Sequence, residues 1–239
     1  MISLSRICSS VLLAVFSGQA GAAALEGKIS LTGTRKAASR KQDLSGIVIW
    51  LEGRNTGSAP PASRTIQMVQ KSKKFTPHVL AVPVGSTVDF PNFDPIFHNA
   101  FSNFAGQPFD TGLYAPGTTH KIRFRRDGVV RVFCNIHPTM SAVIVVLRSP
   151  YFTITNAAGE FRISDAPPGE YDLHVFHERA TPETLKALDR RIVLTGEPLS
   201  LPEISISESV YIEGAHKNKH GSDYAPVTED QILYPGGRR

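Results

Sequence analysis

Cys134, His137 and Met140 fall at three-residue intervals in the segment Phe133 to Met140, "FCNIHPTM". A copper ion that shuttles one electron is held by a soft thiolate and two imidazoles in a trigonal plane, with a weak thioether along the axis. Three of those four groups stand together in this segment. Taken singly, each also has a plain structural reading: Cys134 as a small buried hydrophobe, His137 as a turn residue, Met140 as core packing. Zinc can occupy such a cage, although methionine is an odd ligand for a dedicated zinc site.

The second imidazole must come from elsewhere in the chain. His98, in "DPIFHNAF", is the best candidate. It follows a strand ending and stands beside Asn99, whose side chain and backbone could cross-link the two ligand loops. A backbone N–H donated to the cysteine sulfur is a contact that tunes a metal site. The other histidines fit less well. His78 and His120 read as ordinary loop or strand-face residues, and His174 and His177 are three apart, on opposite faces of one strand. His216 and His220 lie in a polar tail that reads as solvated.

The elements that must position these groups are strands. Short apolar runs closed by glycine, proline and Asp/Asn recur along the chain, the pattern of an all-β protein. "LEGKISLTG" and "SGIVIWLEG" come first, on either side of a basic loop. From Thr65 follow "TIQMVQ", "VLAVPVG", "STVDFPN", "HKIRFRR", "VVRVFCN" and "AVIVVLR", with tight turns at "PVGS", "APGT" and "RDGV". Cys134 ends one of these strands and Met140 precedes the next, so a short loop stiffened by Pro138 turns the three side chains toward one point. "TPETLKALDRR" predicts a single helix with Thr181 as N-cap and Pro182 at its first position. Arg123, Arg125 and Arg131 at strand spacing predict one solvated basic face, which would steer an acidic partner.

"VPVGSTVDFPNFD", the His98–Asn99 pair, "FDTGLYAPGTTHKIRF" and "GVVRVFCNIHPTM" together resemble a cupredoxin of the plastocyanin and amicyanin group. The Cys-x-x-His-x-x-Met spacing is like amicyanin. The likeness runs from Thr65 to Arg148. It implies a Greek-key β-sandwich (residues 65–148) holding one mononuclear blue copper, with His98, Cys134 and His137 equatorial and Met140 axial. It also implies that His137 reaches the surface within an apolar patch that docks a redox partner, a cytochrome or dehydrogenase. The same segments, "CNIHPTM" included, resemble bacterial periplasmic proteins of the methylamine-utilisation type.

"TNAAGEFRISDAPPGEYDLHV" resembles the carboxypeptidase regulatory-like, transthyretin-like β-sandwich, through its N-x-x-G-x-F and P-P-G-x-Y turns. Such a sandwich starts with two strands like those found before Thr65. Residues 25–53 and 149–210 together approach the size of a sandwich of about 100 residues. The expectation is therefore a copper domain inserted in, or adjacent to, a discontinuous second sandwich, with 213–239 as an extended or mobile tail.

Residues 1–24 carry one arginine, an apolar run from Val11 to Phe16 and a series of small residues, the pattern of a secretory signal peptide. No stretch approaches the roughly 20 apolar residues of a membrane span. Export to the periplasm removes Cys8 and leaves Cys134 as the sole cysteine, unable to form an internal disulfide. An exported free thiol is oxidised unless it is buried or metal-bound. Removing Arg6 lowers the formal charge of +5 by one, an excess too diffuse for nucleic acid.

The function expected is periplasmic electron transfer by a Cu(I)/Cu(II) couple, without bond chemistry. A copper-handling protein is the alternative, which exposed methionine or histidine clusters would favour; an interaction scaffold is a third. An enzyme is not expected, for neither a second copper repeat nor a further histidine cluster is present.

Overall fold

The computed structural model describes residues 23–33, 42–54, 63–104, 106–208 and 217–224. Of the expected leader only Ala23 and Ala24 are among them, and they open the first strand. The chain begins with β1 (Ala23–Thr32) and β2 (Val48–Gly53). Between residues 65 and 147 follow β3 (Thr65–Gln67), β4 (Val69–Lys71), β5 (Lys74–Thr76), β6 (Val79–Pro83), β7 (Thr87–Pro91), β8 (Phe101–Ser102), β9 (Phe109–Asp110), β10 (Thr119–Arg123), β11 (Gly128–Phe133) and β12 (Ser141–Leu147). The remainder is β13 (Phe152–Ile154), β14 (Glu160–Ala166), β15 (Gly169–Phe176), α1 (Pro182–Lys186), β16 (Arg190–Leu194), β17 (Leu199–Ser200) and β18 (Ile204–Ser207). The fold is all-β, as the turn-punctuated sequence predicts.

The strands from β3 to β12 make two sheets, ordered β10-β7-β3 and β6-β12-β11-β8-β9, and a small hairpin β4-β5. Val88 and Phe90 of the first sheet meet Val130, Val132, Ile144 and Val146 of the second in one buried core. The pairs β3/β7 and β6/β12 are parallel, so connections cross between sheets. "TIQMVQ", expected as one strand, is broken at Met68. Its N–H goes to Asp89 O (2.8 Å), its side chain is buried in this core, and the chain beyond leaves β7 to pair with β5.

The two strands before Thr65 do not join those sheets. β1 pairs antiparallel with β14 and parallel with β17 and β18, while β2 lies between β13 and β15. Ile47, Ile49, Leu51, Phe161, Tyr171 and Leu173 share a second core between these sheets. Here alternation is plain: β14 reads buried-exposed-buried from Phe161 to Ile163, as a strand with one wet face must.

β12 is different, because both its faces are covered. Ala142, Ile144 and Val146 enter the first core, whereas Val143, Val145 and Leu147 enter a third cluster with Ala81, Val48 and Phe176. That third cluster joins the two sandwiches, β6 and β12 on one side and β2 and β15 on the other. It explains why "SAVIVVL" is apolar without alternation, the signature of a strand buried on both faces.

α1 starts as expected: the Thr181 side chain accepts the Thr184 N–H (3.2 Å), and Pro182 occupies the first turn. The basic face does not form. Arg123 belongs to β10, in the other sheet from Arg131 on β11, and Arg131 turns toward Glu178 of the second sandwich (4.0 Å).

Glu178 also pairs with His78 across the junction (Nε2–Oε2 2.5 Å) while His78 Nδ1 donates to Ser141 O (3.0 Å). The Glu178 carboxylate raises the His78 pKa above its ordinary value, against a smaller opposing effect of burial. Burial pushes Glu178 the other way, yet His78 and Arg131 hold it net below the usual range. A raised histidine pKa contributes stability that is complete below the unfolded value near 6.5 and is lost as pH rises through the folded value. The lowered Glu178 contributes above about 4.5 and is lost on acidification. The stability difference between wild type and His78→Gln should therefore shrink as pH is raised from about 6 to 8.5, read from urea midpoints. A difference that does not vary with pH would rule out this ion pair as a stabilising contact.

Candidate metal centre

The Cys134–Met140 loop is closed by its own backbone. Phe133 and Ser141 are opposed in the β11–β12 ladder, the Cys134 N–H donates to Met140 O (3.0 Å), and the Met140 N–H donates to His137 O (2.9 Å). His98 arrives from the loop between β7 and β8. Phe101 of β8 pairs with Phe133 of β11, and exchanged backbone bonds tie His98 to Tyr114 (2.8 and 3.3 Å). Sheet pairing thus delivers a residue three before Phe101 to the side of a residue one after Phe133.

Cys134 Sγ lies 3.8 Å from His98 Nδ1 and 3.7 Å from His137 Nδ1, and all three ligand atoms fall within 4.8 Å of one another. Metal–sulfur and metal–nitrogen bonds of roughly 2.3 and 2.0–2.1 Å, set at about 120°, place sulfur and nitrogen about 3.8 Å apart. The two measured sulfur–nitrogen separations fit that triangle. Met140 is buried in the same core cluster as Cys134, on the loop that carries the other two groups.

The centre is shielded unevenly. His98 and Cys134 are both 0% exposed, while His137 is half-buried. Burial raises the Cys134 thiol pKa, opposed by the backbone N–H groups of Asn99, Ile136 and His137 directed at its sulfur. Those three donors are matched to a thiolate, the form in which cysteine binds metal. Burial foremost, with the positive charge of Lys73 adding to it, pulls His137 down to about 4, so its imidazole is neutral and has a lone pair to give.

Asn99 links the loops by side chain as well as backbone. Its Oδ1 accepts the Asn135 N–H (2.7 Å) and its Nδ2 donates to Asp110 Oδ1 (3.3 Å). A carboxylate that sequence reasoning missed stands behind His98: Asp94 Oδ2 is 2.7 Å from His98 Nε2. Burial pushes the Asp94 carboxyl up, but the N–H groups of Lys73 and Ser72 and the His98 ring hold it net below its ordinary value. Its place four residues before His98 was the available signal.

The tail also departs from expectation. Residues 217–224 pack on the ligand loop: Lys219 N–H donates to Asn135 Oδ1 (2.9 Å), Lys219 Nζ pairs with Asp110 (2.7 Å), and the Tyr224 hydroxyl donates to Cys134 O (2.9 Å). Polar anchors of this kind leave no apolar periodicity to read. His216 and the rest of the tail lie outside the described residues. Of the remaining described histidines, His120 lies against the Tyr114 ring, His174 pairs with Asp189 and stacks on Trp50, His177 pairs with Glu208, and His220 is exposed. Among the described residues, His98, Cys134 and His137 form the one such ligand group.

No protein-family model matches the chain, and no curated protein matches it. Among solved structures it is similar to a purple cupredoxin from Nitrosopumilus maritimus, 26% identical, covering 34% of this chain and 99% of that one, with a TM-score of 0.32. An amicyanin variant in its reduced state is 22% identical over 35% of this chain and 82% of its own, with a TM-score of 0.33. A copper-containing nitrite reductase from Thermus scotoductus SA-01 is 29% identical over 40% of this chain and 25% of its own, also at 0.33.

Asn99 is buried and joins both loops, so Asn99→Ala leaves the Asn135 N–H without its acceptor. We expect a loss of about 1–3 kcal/mol in unfolding free energy by urea titration, with faster attack of a disulfide reagent on Cys134 in metal-free protein. Wild-type stability and thiol reactivity would show that the sheets alone hold the loops.

Proposed function

We propose that the chain is a periplasmic electron carrier holding one copper at His98, Cys134 and His137, with Met140 as the weak fourth ligand. The observation that carries this is the His–Cys–His triangle, with sulfur–nitrogen edges of 3.7 and 3.8 Å. Bound copper would supply a one-electron Cu(I)/Cu(II) couple. The chain's contribution is to fix the donors, keep water from Cys134 and His98, and supply N–H groups to the sulfur.

A carrier rather than an enzyme is favoured by the enclosure of His98 and Cys134, since a catalytic copper needs a position open to substrate. Copper delivery is disfavoured because Met68 and Met140 are both buried, so no exposed thioether among the described residues offers a transfer route. Burial also answers how a lone cysteine survives in an oxidising compartment. Among the described residues no helix is long and apolar enough to cross a membrane. We read β1, β2 and β13–β18 as a transthyretin-like sandwich into which the copper domain is inserted. The support is that β1 and β2 pair with later strands rather than with β3–β12.

The partner surface we infer surrounds His137. Phe93, Phe97, Leu113 and Ile136, on the loops around the site, are large apolar side chains that stay exposed. Beside them the β4–β5 hairpin carries exposed Lys71, Lys73 and Lys74. Its Gln70 O accepts the Phe93 N–H (2.8 Å). An apolar centre with a lysine edge suits an acidic redox protein met transiently. Lys73→Glu should slow electron exchange with an acidic cytochrome at low ionic strength, and the loss should fade as salt is added. A salt-independent loss would point away from steering.

The copper-loaded protein should show the intense visible absorption of a thiolate–Cu(II) centre, blue or green, and Cys134→Ser should abolish it. A colourless Cu(II) adduct of the wild type would sink the copper-carrier reading.

A further inference from the structure

His98 is enclosed on all sides, and both of its ring nitrogens are engaged, in opposite directions. Nδ1 faces the Cys134 sulfur at 3.8 Å, and Nε2 faces Asp94 Oδ2 at 2.7 Å. A neutral imidazole has one N–H and one lone pair, and an ionised carboxylate can only accept. The proton therefore belongs on Nε2, and the lone pair on Nδ1, toward the ligand triangle.

The carboxylate is itself held by two further donors, and the residue's own N–H is engaged as well. Ser72 N–H donates to Asp94 Oδ1 (2.6 Å) and Lys73 N–H to Oδ2 (2.8 Å). The Asp94 N–H is taken by Asn92 Oδ1 (3.0 Å). Ser72 and Lys73 form the tip of the β4–β5 hairpin with φ of 54° and 55°, the paired left-handed conformation of a two-residue hairpin turn. Neither is glycine, so the turn is adopted at some conformational cost. What it achieves is two adjacent N–H groups aimed at one carboxylate, a small anion nest. An element with no ligand of its own thus fixes the group that fixes a ligand.

The two histidines are unequal in this respect. His137 makes no hydrogen bond to a carboxylate among the described residues, and burial is the largest influence on its ring. Only the His98 side carries a full negative charge one hydrogen bond behind the metal position.

We propose that Asp94, clamped by the Ser72–Lys73 turn, is a positioning residue that sets the His98 tautomer and, resting on the copper reading above, biases the site toward Cu(II) and so toward a lower reduction potential. A carboxylate bonded to the far nitrogen makes an imidazole a stronger donor. Stronger donation stabilises the more highly charged ion. Asp94→Asn nearly preserves shape but removes the charge, and its amide cannot accept from both turn N–H groups.

The test has a metal-free arm and a copper-loaded arm. In metal-free wild type, nitrogen-15 NMR of the imidazoles should show His98 protonated at Nε2. Protonation at Nδ1 overturns the proposal, and this needs no variant that might fail to fold. In copper-loaded protein, Asp94→Asn should weaken Cu(II) binding about 10–100-fold. It should also raise the potential by about 59 mV, the equivalent of a tenfold shift in a one-electron equilibrium. A variant that loses thermal stability yet keeps the wild-type potential and Cu(II) affinity would reduce Asp94 to a structural contact and overturn the proposal. Failure of the wild type to show a thiolate–Cu(II) spectrum would instead defeat the copper reading, leaving the tautomer measurement to judge Asp94 as the positioner of His98.

Discussion

Ala142, Ile144 and Val146 leave β12 on one face and Val143, Val145 and Leu147 on the other, and both sets are buried. A strand in that situation cannot slip by one residue without exchanging the contents of two cores. Its register with β11 is therefore strongly specified, and so is the loop between them. Cys134, His137 and Met140 all hang on that loop. The same strand presses the β3–β12 sandwich against the second one through Val48 and Phe176. The position of the candidate ligands and the joint between the two sandwiches are thus consequences of one constraint.

Polar contacts then do what packing cannot. Apolar burial is indifferent to direction, whereas a ligand triangle requires side chains aimed to within a fraction of an ångström. The aim comes from Asn99 Oδ1 on the Asn135 N–H, from Asp94 on His98 Nε2, and from the Lys219 and Tyr224 contacts to the ligand loop. Asp110 gathers two of these lines, accepting from Asn99 Nδ2 and pairing with Lys219. The Asn99–Asn135, Lys219–Asn135 and Tyr224–Cys134 bonds join segments distant in sequence, and each subtracts a way for the ligand loop to drift, while the Asp94 bond fixes His98 within its own loop. None of them needs a metal to form.

The residues that could act as ligands were legible because their chemistry is rare. One cysteine outside residues 1–24, with histidine and methionine at fixed spacing, leaves few readings, and the strand-loop-strand setting of Cys134 gives the convergence a cause. The all-β class was legible from turn residues, and the Thr181 cap from Thr-Pro-Glu. The lost basic face shows the limit. Arg123 and Arg131 have strand spacing in the sequence, but spacing within a strand says nothing about which sheet a neighbouring strand joins. The tail shows another. Lys219 and Tyr224 make polar contacts to Asn135, Asp110 and Cys134, which have no period and so no signature.

Asp94 marks the boundary between the two cases. "DPIFH" displays an acid four residues before a histidine, but that pattern is common and would mean little on a strand, where the two side chains would share a face well apart. It acquires meaning because the chain between them is irregular and folds the carboxylate back beneath the ring, and because a lysine-rich hairpin from an earlier part of the chain supplies the N–H groups that keep the carboxylate there. The decisive fact is a three-body arrangement of hairpin, loop and ligand. Sequence patterns report pairs of positions within one element, so a group defined by three elements becomes visible only when the fold has placed them together.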